Sequence, residues 1–210
     1  VMHTDIASAG IKRLAISKQP ETRLWVILED GDCLVFLNDL TEEVGAWARM
    51  ETDGLFDDVV VLPGTTEDQV YFSVNRNGSY YLEKLSMFSE TRPHDSHVRY
   101  TSPGTSLTDL THLEGETIGV WADGADLGDY VVSGGAVTIA AGKTTVTAGL
   151  RYTANYQSNK LAEYVDYSVL TRRAKVENIA LIASNLYGPG LSVGPDSANL
   201  RVIEGYSGTT

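Results

Sequence analysis

THLEGETIGVWADGADLGDYVVSGGAVTIAAGKTTVTAGLRYTANYQSNKL, residues 111–161, reads as short strands broken by glycine turns. Residues 117–122 make one run, closed by Asp123-Gly124. Residues 130–133 make another, closed by Gly134-Gly135. Residues 136–140 return, Gly142-Lys143 turns again, and residues 144–148 follow. Such runs are too short for ordinary helices, and their β-branched content suits a pleated surface. Asp-Gly and Gly-Gly are what two-residue hairpin turns need, because those turns place residues at positive φ. The stretch predicts a small antiparallel β-module. It carries no nucleophile–base pair, metal cluster or phosphate loop, and the rest of the chain reads as the scaffold around it.

Upstream, residues 12–17, 24–29, 33–38 and 44–51 are strand candidates. Gln19-Pro20-Glu21-Thr22 is a turn and Asp30-Gly31 a hairpin turn. The pattern then restarts. Residues 59–62, 70–75 and 79–85 are strands, with turns at Pro63-Gly64-Thr65-Thr66 and Asn77-Gly78. Superposing the halves puts Leu14 on Val59, Leu24 on Val70, Trp25 on Tyr71 and Gly31 on Gly78. The offset of about 45 residues is the length of a four-stranded propeller blade. Two unrelated hairpins in one antiparallel sheet are the plainer alternative. Two blades do not close a ring, so the chain is expected to be a fragment of a longer protein. Its start at Val1 and its polar Gly-Tyr-Ser-Gly-Thr-Thr end fit that expectation.

Residues 89–106, with Pro93, Pro103 and Gly104 and no period, read as a linker. Beyond the module, residues 155–160 read as its exit, and residues 161–171 are ambiguous between helix and strand. Residues 175–187 alternate as one long strand stopped by Gly188-Pro189-Gly190, and residues 200–203 form a last short strand. The expected fold class is mainly β, with propeller-like antiparallel blades and an inserted small β-sandwich module. Residues 1–92 are the blade region, 93–160 the linker and module, and 161–210 returning strands of the scaffold.

The 210 residues are enough to bury a core. Acidic residues outnumber basic ones, 28 to 16, for a net charge of −12. That balance argues against gripping nucleic acid, which requires Lys and Arg on phosphates. It fits a surface that nucleic acid slides past without sticking. Cys33 is the only cysteine, so no internal disulfide forms. No apolar run is long enough to span a membrane, and no signal peptide is expected.

Each candidate site has a plainer reading beside it. Ala141-Gly142-Lys143-Thr144 resembles the end of a phosphate loop, but Val137 stands where the motif needs glycine, and a hairpin turn fits better. Asp123, Asp126 and Asp129 space carboxylates that suit calcium, as do Asp53, Asp57 and Asp58. Neither set matches the EF-hand loop, and loop aspartates more often cap turns. His94, His97 and His112 fall in and after the linker, where exposure is expected over metal ligation. Glu42, Glu43 and Glu51 offer carboxylates for a hydrolase, with no spacing that selects a pair. Asn77-Gly78-Ser79 is a glycosylation sequon that reads first as a hairpin turn. No catalytic residue, cofactor or metal is assigned.

Several words in order carry a resemblance. Leu110-Thr111-His112-Leu113-Glu114-Gly115 is followed by Val120-Trp121-Ala122-Asp123-Gly124, then Val132-Ser133-Gly134-Gly135, then Gly149-Leu150-Arg151-Tyr152. Upstream stand Thr52-Asp53-Gly54-Leu55-Phe56-Asp57-Asp58-Val59, Val61-Leu62-Pro63-Gly64 and Tyr81-Leu82-Glu83-Lys84-Leu85. Downstream stand Arg172-Arg173 and Val193-Gly194-Pro195-Asp196. From Ile11 on, the chain resembles the tail nozzle, or tail tubular protein B-like, family of short-tailed bacteriophages. The resemblance implies a large β-propeller protein with inserted β-domains, located in the virion tail. It implies a homo-oligomeric ring, typically a hexamer, contacting the tail adaptor and other tail proteins. Genomic DNA passes through such a ring without specific binding, and no enzyme activity is implied. The chain is shorter than a full nozzle. The hairpin tips Asp30, Gly31, Asn77 and Gly78 and the module loop Asp123, Gly124, Asp126 and Asp129 are the exposed interaction candidates. The alternative function is a tail-associated binding module that recognises host glycan or another tail protein.

Overall fold

The computed structural model describes residues 7–41, 43–87, 94–157 and 191–203. Glu42, the segment 161–171, Arg172-Arg173, the expected strand 175–187 and its Gly188-Pro189-Gly190 stop lie outside the described residues. The chain divides into two compact units, Val1–Tyr152 and Thr153–Thr210. The described residues are mainly β, in several antiparallel sheets.

The first sheet is a meander of β1 (Ile11–Ser17), β2 (Thr22–Leu28), β3 (Cys33–Asp39) and β4 (Val44–Met50). The second is a meander of β5 (Leu55–Leu62), β6 (Gln69–Arg76) and β7 (Ser79–Lys84). The two halves of the sequence pattern thus become two separate sheets. Their pairings correspond: Ile16 faces Leu24 as Val61 faces Val70, and Leu14 faces Val26 as Val59 faces Phe72. Asn77 and Gly78, at φ 51° and 87°, form the expected two-residue turn. Asp30-Gly31 does not. Leu28 N donates to Asp32 O around a three-residue loop in which only Gly31, at φ 89°, is left-handed.

Because side chains alternate along a strand, each sheet has two faces. The front of the first sheet carries Trp25, Ile27 and Cys33, and its back carries Leu24, Val26, Leu28 and Leu34. The back of the second sheet carries Val59, Val70, Phe72 and Val74, and it packs on the front of the first. Phe72 meets Trp25 edge-on at 5.6 Å and Phe56 at 5.2 Å. Trp25 Nε1 donates to the buried Ser17 Oγ, which satisfies the one polar atom of the indole. By the strand pairing, Leu14, Leu24 and Val26 correspond to Val59, Val70 and Phe72, all back-face positions. The two sheets therefore stack head to tail, front on back, rather than face to face about a two-fold axis.

The module has a core of its own, built on Leu107, Leu110, Ile118, Val120, Val146 and their neighbours. Its sheet runs β11 (Ala125–Val131), β10 (Thr117–Ala122), β13 (Thr145–Leu150) and β8 (Asp95–Thr101). A ribbon of β9 (Ser106–Leu107) and β12 (Val137–Thr138) adds a second, smaller sheet. The Asp123-Gly124 and Gly134-Gly135 turns form as expected, with both residues of each at positive φ. Two expectations are corrected. Residues 89–106 are not all linker: β8 is an edge strand of the module sheet, and β9 begins at Ser106. Only Val98 and Tyr100 of β8 reach the core, which leaves too few apolar residues for the alternation to stand out. The run placed at 130–133 begins earlier, at Ala125, directly after its turn. In the other unit, β14 (Ser192–Val193) and β15 (Arg201–Val202) form a short hairpin, in accord with the strand expected at 200–203.

Candidate functional site

The most developed polar arrangement lies on the outer face of the module sheet. Asp126 and Asp129 are three residues apart, a spacing that in a regular strand would send them to opposite faces. A bulge changes this. Val120 pairs with Gly128 and Trp121 with Asp126, so Leu127 is the extra residue, and Gly128 takes φ 93°. Both carboxylates then face outward, Asp126 beside Trp121 and Asp129 beside Gly119.

Gly119 pairs with Gly149 on the adjacent strand; the backbone of Asp95 and His97 lies close over Gly149, and bare Gly119 leaves a trough beside it. Arg151, just past β13, lays its side chain along it. Its Nη2 donates to Asp126 at 2.8 Å and its Nε to Asp129 at 2.5 Å. The side chain thus reaches from the end of β13 across β10 to β11. A Cβ added at Gly119 would stand 2.5 Å from His94 Nε2 and 2.9 Å from Arg151 Nε. His94 is 4% exposed, and its Nδ1 has no hydrogen-bond partner. Burial first, then the Arg151 charge, pushes the His94 pKa down to about 4, with Asp126 and Asp129 opposing. The hydrogen bond from Arg151 holds Asp126 below the usual carboxylate range. The expectation of an exposed linker histidine is therefore corrected at His94: it is a buried, neutral side chain beside a fixed cation.

A second polar node joins the module to the two sheets. Arg76, at the end of β6, is 4% exposed. It grips Glu83 bidentately, at 2.7 and 3.0 Å, and reaches Thr52 Oγ1 at 2.8 Å and the Asp53 carbonyl. Asp95 lies 4.0 Å away and accepts from Thr52 Oγ1 at 2.6 Å. Ser96 donates to Glu83, and the Ser96 carbonyl meets His112 Nε2 at 3.0 Å. His112 packs against Tyr81 of β7. A bidentate arginine with every neighbouring acceptor satisfied is a structural clamp.

Several of the remaining candidates hold structural contacts. Asp123 accepts from the backbone N–H of Thr144 and Thr145, so it ties its turn to the approach of β13 and does not converge with Asp126 and Asp129. Glu114 accepts from Gly134 and Gly135 N–H at 2.9 and 2.6 Å, which anchors that turn. Asp57 and Asp58 pair with Lys12 and Arg13 of β1. Asp30 is exposed, but Gly31 is buried: a Cβ there would collide with Leu55 at 2.8 Å. Of the other expected interaction residues, Asn77, Gly78, Asp123, Gly124 and Asp129 are exposed and Asp126 is half-buried. Burial pushes the Cys33 thiol up to about 12, so it is inert as a nucleophile at neutral pH. Among the described residues, no group of three or more His, Cys, Asp or Glu is arranged to hold a metal ion, and no helix is long and apolar enough to cross a membrane. The hollow beside Arg76 and His112 measures about 30 Å³, and one beside Gly31 and Phe56 about 180 Å³. Small-molecule pockets start near ~300 Å³.

Sequence reasoning missed Arg76 and Arg151, because an arginine at a strand end carries no local signal of its partners. Gly128 between Asp126 and Asp129 was the available hint, since an isolated glycine within a strand marks a bulge. A scan of protein-family models finds no match for this chain, and a search of curated proteins finds none either.

Proposed function

We propose that this chain is a structural component of a bacteriophage tail: part of a nozzle or tubular ring through which DNA leaves the virion. The observation that carries the reading is the head-to-tail stacking of two sheets built on one sequence repeat. Propeller blades stack in this way, so the stacking supports a blade-like region into which the module is inserted. The words that resemble the nozzle family have architectural roles here: Glu114 and Asp123 tether turns, and Gly54 and Gly64 sit where a Cβ would meet backbone oxygen at 2.7 and 1.8 Å. The net charge of −12 suits a conduit to which DNA does not adhere. The ring is homo-oligomeric, and the chain performs no catalytic step.

The test is localisation. An antibody against this chain, applied to virions of the phage that encodes it, is expected to label the tail tip in electron micrographs. Virions that lack the polypeptide by mass spectrometry would overturn the reading.

A further inference from the structure

Asp30-Gly31, Asp53-Gly54, Asn77-Gly78 and Asp123-Gly124 share one chemical feature. Each sets a side-chain carbonyl carbon one residue before a glycine N–H, and the two can close to a five-membered imide. Glycine permits the approach because it has no Cβ to oppose the backbone rotation.

In three of these pairs the fold works against that closure. Asp123 accepts from Thr144 and Thr145 N–H, which hold its carboxylate toward the approach of β13. Gly31 is buried, its N–H donates to Leu28 O, and Leu55 stands where a Cβ would be. Gly54 lies against the Asn75 carbonyl, 2.7 Å from the place of a Cβ. An ionised aspartate is also a poor target, since it would have to expel an oxide.

Asn77-Gly78 differs on each count. It is the one Asn-Gly pair in the sequence, and a carboxamide can release ammonia. Asparagine is among the thermolabile residues. Both residues are exposed, and nothing lies within 4 Å of where a Gly78 Cβ would stand, so the turn has room to rotate. One restraint is present: Gly78 N–H donates to Asn75 Oδ1 at 2.9 Å.

We propose that Asn77 is a self-modification site, in which Gly78 N closes on Asn77 Cγ at a rate governed by the hydrogen bond from Gly78 to Asn75. Hydroxide takes the Gly78 N–H proton, the N–Cγ bond forms, and the Cγ–Nδ2 bond breaks as ammonia leaves. Water then adds to either carbonyl of the imide and opens it to aspartate or isoaspartate. The net change is water in and ammonia out, with no redox step. Isoaspartate runs the main chain through Cγ and lengthens the two-residue turn by one carbon. Arg76 and Ser79, paired across that turn, then lose their register, and Arg76 loses its placement on Glu83 of the next strand. The turn thereby sets a lifetime for the clamp between the sheets and the module. The reaction needs only water and is independent of the virion reading.

Peptide mapping by mass spectrometry, on the full chain aged at pH 6 and at pH 8, tests this. Conversion at Asn77 is expected to lead that at Asn38, Asn75, Asn155 and Asn199, and to run several-fold faster at pH 8. Asn75→Ala, which releases the Gly78 N–H, is expected to convert several-fold faster than the unaltered chain. Asn75→Asp, which keeps an acceptor oxygen, is expected to return to the slow rate, and unchanged melting shows that both variants fold. Aged chain enriched in isoaspartate is expected to melt below Asn77→Asp, which carries the same charge on an ordinary backbone. Another asparagine converting first overturns the site. An Asn75→Ala rate equal to that of the unaltered chain overturns the role of the hydrogen bond. Should Asn75→Ala not fold, Asn75→Asp still decides, because a rate well above the unaltered one overturns that role too. Equal melting of the aged chain and Asn77→Asp overturns the link to the clamp.

Discussion

Trp25, Phe56 and Phe72 meet between two sheets that stack front on back, and the stack leaves Leu14 and Ile16 open at one end and Tyr80 and Leu82 at the other. The module is finished differently. Its apolar side chains gather on one side of the four-stranded sheet, and its outer face is a polar trough occupied by His94 and Arg151. A repeat that stacks head to tail always exposes the two faces it would use next, whereas a module with a single inward face can close upon itself. The described part of the first region thus has apolar side chains on both of its outer faces, the module gathers them around one core, and Arg76 links the two through Glu83 and Asp95.

The sharpest break in this comparison is Phe72→Ala. It removes the ring shared by Trp25 and Phe56 and is expected to cost about 4 kcal/mol. Urea unfolding followed in single-tryptophan variants should show the Trp25 transition moving to lower urea while the Trp121 transition of the module stays in place. Equal movement of both would mean that the sheets and the module unfold as one body.

Arg76→Ala tests the attachment itself. Removing one partner of a buried, bidentate pair strands Glu83 and is expected to cost about 3 kcal/mol. In the same experiment the two tryptophan transitions should separate further than in the unaltered chain.

His94 makes the module sensitive to acid in a way the two sheets are not. Arg151 faces it, Asp126 and Asp129 lie beyond on β11, and His97 is nearby on β8. Its folded pKa of about 4 lies below the ordinary value of 6.5, so the unfolded chain takes up the proton first. The stability that neutral His94 contributes is complete above about pH 6.5 and is lost as pH falls toward 4. At about 1.4 kcal/mol per pKa unit, the loss by pH 4 is on the order of 3 kcal/mol. Melting of the unaltered chain and of His94→Gln at pH 7, 5.5 and 4 checks this: the variant should lose that share of the pH dependence, and parallel curves would refute it.

The smallest effects separate two kinds of glycine. Gly119→Ala drives a methyl into His94 and Arg151 and is expected to cost about 2 kcal/mol. Gly124→Ala meets open space and suffers only from its left-handed backbone, at about 1 kcal/mol. Chemical denaturation should rank them in that order, and the reverse order would mean that the trough yields to the added methyl.

Much of this architecture was legible from the residues alone. Asn77-Gly78, Asp123-Gly124 and Gly134-Gly135 announced their turns, because positive φ is demanded of the one or two residues that adopt it. The strands β1, β2, β3 and β6 were readable because their apolar residues are dense enough to show alternation or a buried run. The pattern repeat also foreshadowed two meanders whose strands correspond. The loop at Gly31 misled because Asp-Gly suits both a two-residue turn and the left-handed end of a three-residue loop, and the register of β2 against β3 selects between them.

Local chemistry stops at the ends of each strand. That β8 completes the module sheet depends on the edge β13 offers it, some 50 residues further along the chain, and not on the composition of 95–101. That Asp126 and Asp129 share a face depends on one bulge, and that His94 packs where it does depends on the space Gly119 leaves. Conformational preferences are properties of a residue and its immediate neighbours, so the amino-acid order alone specifies those turns and strands whose local signal is strong. Burial, ion pairing and the stacking of faces depend on which surfaces meet, and those distances exist only once the chain has folded.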